Sequence, residues 1–185
     1  MSTTVWLGVD TISFPEGGGH LWAHLSWALG LLALGCRVVW LEPCDLDASD
    51  AKVAALVRGL KERLDPYGLA ENVAICPRSD GRAPRGEWEG CVPLEAAAEA
   101  DLLLNLAYDG HGSIVPSFPR TAVVDLDPEL LQAWIDDGLE LPRYDTYFTT
   151  GETVAEGQPG TALPWVSIPE CVALDWWPVC AERAL

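Results

Sequence analysis

Thr3-Thr4-Val5-Trp6-Leu7-Gly8-Val9 is a short apolar, β-branched run, followed by Gly17-Gly18-Gly19-His20 and then by the long apolar stretch Leu21 to Leu34. Read together they predict a strand over 3–9, a thin turn, and a helix over 20–34. At such a junction the backbone is bare, and the first helical N–H groups have no intrahelical partner. A polar ligand can then approach closely beside an imidazole. The same residues also make a plain flexible turn, with His20 capping or flanking the helix.

The pattern repeats outward from this junction. In the first helix Leu21, Leu25, Ala28 and Leu32 form one stripe with Trp22, Leu29 and Ala33 beside it, which predicts a helix buried between layers; Gly35 ends it. Arg37 to Leu41 reads as a second buried strand, with Glu42-Pro43 at its exit. Ser49 to Leu64 predicts a helix, because Val53, Leu56, Val57, Leu60 and Leu64 recur at helical spacing, and Asp65-Pro66-Tyr67-Gly68 stops it. Val73 to Ile75 reads as a brief strand and Ser79 to Gly90, rich in Gly, Pro, Arg and Glu, as a long loop.

Leu94 to Ala100 reads as a short helix leading into a strand over Asp101 to Leu106. Thr121 to Asp125 is the next strand. Asp127 then caps a helix with Pro128 at its first position and Leu130, Leu131, Trp134 and Ile135 as the packed face, ended by Gly138. Tyr144 to Thr149 reads as the last strand. Alternating strands and helices imply an α/β domain, a Rossmann-like, mostly parallel sheet with helices on both faces. Such sheets bind ligands at the carboxyl ends of their strands. The rule predicts one common rim made by Asp10 to His20, Glu42 to Asp47, Ala107 to Phe118, Asp125 to Pro128 and Thr150 to Val154.

The chain of 185 residues is sized for one domain, here 1–170, with 171–185 as a linker or tail. Its formal net charge of −17, from 28 acidic residues against 11 Lys and Arg, opposes the field that nucleic acid or an anionic membrane requires. The N-terminus carries no basic region before an apolar run, and the longest apolar stretch is too short to span a bilayer, so the expected location is cytoplasmic. Cys36, Cys44, Cys76, Cys91, Cys171 and Cys180 form no Cys-x-x-Cys unit and read mostly as free thiols. His20 and His24 sit four apart but lack a third obvious ligand, so no metal is expected. Neither a Walker A sequence nor a Gly-x-Gly-x-x-Gly fingerprint is present.

The order of Gly17-Gly18-Gly19-His20-Leu21-Trp22, Val38-Val39-Trp40-Leu41-Glu42, Asp101 to Leu106, Val124-Asp125-Leu126-Asp127-Pro128 and Phe148-Thr149-Thr150-Gly151-Glu152-Thr153 resembles the N-terminal half of a GT-B type nucleotide-sugar glycosyltransferase, in particular a poorly characterised bacterial group. Trp165-Val166-Ser167-Ile168-Pro169 and Leu174-Asp175-Trp176-Trp177-Pro178 look like the approach to its interdomain linker. The resemblance implies an acceptor-side domain, incomplete for catalysis alone. The donor, a nucleotide sugar, would be held chiefly by a missing C-terminal domain or by another protein chain, possibly a second copy. No cofactor is implied in this chain.

By position His20 resembles the acceptor-activating histidine of such enzymes, and a neutral imidazole suits proton removal near pH 7. Asp109 is the candidate carboxylate to orient an imidazole, with His111 as a rival base. Gly18, Gly19, Trp22, Asp125, Asp127, Thr150, Gly151 and Glu152 are the candidate contacts to a small-molecule acceptor. Each has a structural reading too. Asp127 before Pro128 is a helix cap, the Thr149–Glu152 stretch is an ordinary helix start, and tryptophan is more often core or interface material than a ligand platform. A non-enzymatic small-molecule-binding domain, or a subunit completed by a partner, is the alternative.

Overall fold

A computed structural model describes residues 2–44, 50–78, 88, 90–108, 111–152 and 163–177. Among them seven strands form one sheet: β1 (Thr4–Gly8), β2 (Arg37–Cys44), β3 (Val73–Pro77), β4 (Leu102–Asn105), β5 (Thr121–Asp125), β6 (Thr146–Thr149) and β7 (Trp165–Ser167). The order is β3-β2-β1-β4-β5-β6-β7, and every neighbouring pair is parallel. The architecture is Rossmann-like. Because β1 is followed on one side by β2 and on the other by β4, the strand order reverses between β1 and β4. Crossover connections leave a crevice at that point, at the carboxyl edge.

Alternation along the strands separates two cores. Val5, Leu7, Val38, Trp40 and Leu104 face helices α1 (Gly18–Ala33) and α2 (Asp50–Leu64). Trp6, Val39, Leu41, Leu103 and Val123 face the other way, toward the 3₁₀ turns Leu94–Glu99 and Val115–Ser117 and helix α3 (Pro128–Asp136). Each face of the sheet is thus covered, as buried parallel strands require.

Several boundaries depart from the sequence expectation for identifiable reasons. The first helix starts at Gly18, so Gly18, Gly19 and His20 form its first turn, and Gly17 precedes it with no side-chain cap. That helix is not buried between layers. His24, Leu25, Ser26, Ala28 and Leu29 are buried, whereas Trp22, Trp27, Leu31 and Leu32 are only half-covered and Leu34 is exposed. Strand β2 runs on through Pro43. Strand β1 stops opposite Leu41, so Glu42, Pro43 and Cys44 pair with β3 alone, and the missing proline N–H falls on the unpaired side.

Tyr144 to Thr149 is not the last strand either, since Trp165–Ser167 adds β7 beyond it. In α3 the packed residues are Leu131 and Ile135; Leu130 and Trp134 face outward. After β7 the chain crosses back onto the α1 side. Ile168 and Ala173 pack on that core and the Cys171 thiol donates to the Ser26 carbonyl at 3.3 Å. Trp177 and Trp176 close the crossing against Trp22 and Tyr67, with ring centroids 4.9 and 5.1 Å apart. Cys36, Cys44, Cys76, Cys91 and Cys171 are thiols; Cys180 lies outside the described residues. Among the described residues no helix is long and apolar enough to cross a membrane.

Candidate functional site at the sheet switch point

The loop from Val9 to Gly17 leaves β1 at the switch point and is clamped from beneath by Glu42. Its carboxylate, fully buried, accepts from the Thr11 N–H at 2.8 Å, the Ile12 N–H at 3.1 Å, the Trp40 Nε1–H at 2.8 Å and the Thr11 hydroxyl. Burial pushes the Glu42 carboxyl up, and the four donated hydrogen bonds pull it back toward the charged form. At the loop's start Asp10 makes a bidentate pair with Arg78, just past β3, at 2.8 and 3.0 Å. Arg78 also reaches the Ser13 hydroxyl at 3.4 Å. A side-chain carboxylate below and an ion pair above therefore fix a segment with no regular structure of its own.

His20 stands exposed at the mouth of this loop. Its Nε2 lies 2.6 Å from the Asp10 carbonyl oxygen, which can only accept, so Nε2 carries the proton and Nδ1 the lone pair of the neutral ring. Phe14 and His24 meet the ring edge-on at 5.2 and 4.8 Å. His24 is buried one turn further along α1 and donates from Nδ1 to the His20 carbonyl at 2.9 Å. Burial lowers its pKa to about 4, so it is neutral near pH 7. Gly18 and Gly19 are exposed, and a Cβ on either would meet nothing within 4 Å. The first turn of α1 thus presents bare backbone to open space.

His111 lies on the opposite face of β1. It is wholly buried, its Nε2–H donates to the Leu41 carbonyl at 3.2 Å, and its Nδ1 has no partner. Burial lowers its pKa to about 4. A Cβ on Gly8 would stand 2.7 Å from the Asn105 Oδ1 and 3.3 Å from His111 Nδ1, so only glycine lets β1 end here. The structure does not pair His20 with His111. Asp109, the candidate orienting carboxylate, lies outside the described residues, as do Asp45 to Asp47 and Thr153 and Val154 of the expected rim. The group that orients His20 is a main-chain carbonyl.

Farther along the edge, hydrogen bonds join the β4, β5 and β6 ends. Asn105 donates to the Tyr144 hydroxyl at 2.7 Å and to the Tyr108 carbonyl at 2.9 Å. Tyr108 has φ +49°, a left-handed conformation rare outside glycine, and its hydroxyl accepts from the Leu126 and Asp127 N–H groups at 3.2 and 3.1 Å. Asp125 is buried, accepting from Thr149 Oγ1 at 3.2 Å and from the Asp127 N–H at 3.2 Å; burial raises its pKa to about 6. Asp127 caps α3 through the Leu130 N–H at 3.4 Å. Thr150 bonds back to the Asp125 carbonyl and the Gly151 N–H to Thr149 Oγ1, while Glu152 is exposed. Trp22 turns away from His20 to pack on Tyr67 and Trp177.

The seven parallel strands put all their carboxyl ends on one edge, so the described residues at or directly after the ends of β1, β2, β4, β5 and β6 share it, whereas Val115 and Phe118 of the expected third turn pack in the second core on the way to β5. Strands lie ~4.8 Å apart, so the β5 and β6 ends stand roughly 10 and 15 Å from β1. Arg78, Asn105 and Tyr144 were not among the sequence candidates, and Glu42 and Tyr108 fell within the expected rim without an individual role. The one visible signal was Glu42, a carboxylate directly continuing the apolar run Val38 to Leu41. Among the described residues no group of three or more His, Cys, Asp or Glu is arranged to hold a metal ion. No family model, curated protein or solved structure matches the chain significantly.

Proposed function

We propose that the domain binds a small hydroxylated acceptor in the crevice at the β1 and β4 ends, and that His20 removes the acceptor's proton during glycosyl transfer. The observation that carries this reading is the His20 ring itself. It is exposed beside the switch point, locked in one tautomer by the Asp10 carbonyl, and leaves Nδ1 as the basic nitrogen. In the step proposed, the acceptor O–H gives its proton to Nδ1 as its oxygen bonds to the sugar's anomeric carbon. The bond from that carbon to the nucleoside diphosphate breaks, and the diphosphate leaves with the electron pair. The Asp10 carbonyl stabilises the imidazolium by accepting a stronger hydrogen bond from Nε2. Donor binding would fall to a second domain or chain, as in the glycosyltransferases the sequence resembles.

The test is transfer from an array of nucleotide sugars, assayed with the product of the full gene. His20→Ala is expected to reduce kcat by 10²-fold or more with a smaller effect on acceptor KM. Unaltered turnover would eliminate His20 as the base. A binding-only reading is favoured by a separate observation: the carboxylates nearest the rim are committed, Asp10 to Arg78 and Asp125 to its own strand ends. On that reading the chain alone shows saturable affinity for small polyols or sugars, and His20→Ala weakens binding with no transfer to measure.

A further inference from the structure

A cavity of about 220 Å³ opens between the first loop and α2, lined by Ile12 and Pro15 from the loop and by Ala55, Leu56, Gly59 and Arg63 from the helix. The helical lining residues recur at spacings of three and four, so they form one face. Gly59 is in the middle of α2, has no positive φ, and a Cβ there would meet nothing within 4 Å. Neither backbone conformation nor packing calls for glycine, which costs ~1 kcal/mol against alanine in a helix interior. The missing side chain is what keeps the cavity open on that side.

Arg63 supplies the cavity's cation. It donates from Nε to the Gly59 carbonyl at 3.3 Å and from Nη1 to the Pro15 carbonyl at 3.4 Å, both long bonds. Although the chain carries a net charge of −17, no carboxylate among the described residues pairs with this guanidinium. A cation held by two long bonds to carbonyls, with no carboxylate partner among the described residues and apolar walls beside it, matches a ligand of inverse design, hydrocarbon at one end and carboxylate at the other. An apolar cavity of ~150 Å³ holds benzene, so the space here suits a ring or short chain carrying its acid group.

We propose that this cavity binds a small aryl or alkyl monocarboxylate, its hydrocarbon against Ile12, Ala55 and Leu56 and its carboxylate on Arg63. The cavity shares the first loop with the rim, but His20 is not among its lining residues and the proposal does not rest on the transfer chemistry. Ile12 ties it to the first loop, since the Ile12 N–H is one of the groups held by Glu42.

Titration of phenylacetate and hexanoate, followed by amide shifts in NMR and by calorimetry, tests the proposal against 2-phenylethanol and hexanol as neutral counterparts. The acids should saturate, shift the amides of Ile12, Ala55 and Gly59, and bind at least tenfold tighter than the alcohols. Arg63→Met should bring the acids down to the alcohols' affinity. Gly59→Leu, which fills the cavity and improves the helix, should abolish both while holding or raising the melting temperature. Absence of saturable binding, equal affinity for acid and alcohol, or binding that survives Gly59→Leu would each overturn the proposal. His20→Ala should leave the binding unchanged, which separates a failure here from a failure of the transfer reading.

Discussion

Glu42 shows how one side chain can hold an irregular loop in place. A carboxylate taken wholly out of water is costly unless its acceptor sites are filled, and here four donors fill them, two being the Thr11 and Ile12 amides. Three of the four are N–H groups that cannot accept a hydrogen; only the Thr11 hydroxyl can. Glu42→Gln keeps the shape but turns an NH₂ group toward donors, so it should cost about 2 to 3 kcal/mol, because hydrogen bonds to charged groups contribute more than neutral ones. Glu42→Ala should cost somewhat more, leaving buried donors unsatisfied. Denaturant unfolding measures the loss, and hydrogen exchange locates it: Thr11 and Ile12 should lose protection in both variants ahead of the β1 amides. Full protection of those two amides in Glu42→Gln would show that the loop is held by other contacts.

At the scale of elements, what could be read from the sequence was what is written locally. Strand β5 and the start of α3 coincide with expectation because Asp127-Pro128 marks a helix start within two residues, and α2 follows its own apolar period. His20 was legible for the same reason, a histidine at a strand-to-helix junction. Glu42 meets Thr11 across 31 residues and Arg78 meets Asp10 across 68, so neither partnership has a local signature. Pro43 sits inside a strand only because β1 ends before it, and β7 is three residues long, below any periodic signal. The α1 start was shifted because Gly18 and Gly19 are poor helix formers placed in the first turn. Their Cβ positions are empty, so packing does not explain them. Gly19→Ala should therefore raise stability by about 0.5 to 1 kcal/mol, a rise of a few degrees in thermal unfolding. On the proposed function it should also lower transfer, if a ligand lies against this backbone. A higher melting temperature with turnover intact would show that no ligand needs close approach at Gly19.

For the molecule as a whole, buried histidines and buried carboxylates pull the response to acid in opposite directions. His24 is buried beside His20 and Asp10, and burial outweighs the pull of the Asp10 carboxylate, so its pKa falls to about 4. An unfolded chain protonates the same ring near 6.5. Between those values the unfolded state binds a proton that the folded state refuses, so stability drops as pH falls through that window. His111 acts in the same direction, with its pKa also at about 4. Asp125, raised to about 6, and Glu42, also raised, act in the opposite direction because the folded state takes up their protons first. The total slope is a balance of both signs, and a comparison of variants isolates one ring, since the carboxylates cancel. His24→Phe fills the same space with a group that does not titrate. From pH 7 to pH 5 the wild type should lose about 2 kcal/mol more than this variant in urea unfolding, the amount that linkage assigns to one histidine moved from 6.5 to about 4. The difference between the two stability curves should shift by that amount in the variant's favour as acid is added. Parallel curves would mean that the ring at residue 24 titrates in the fold as it does in the open chain, and that the α1 start is wetter than its packing against the first core requires.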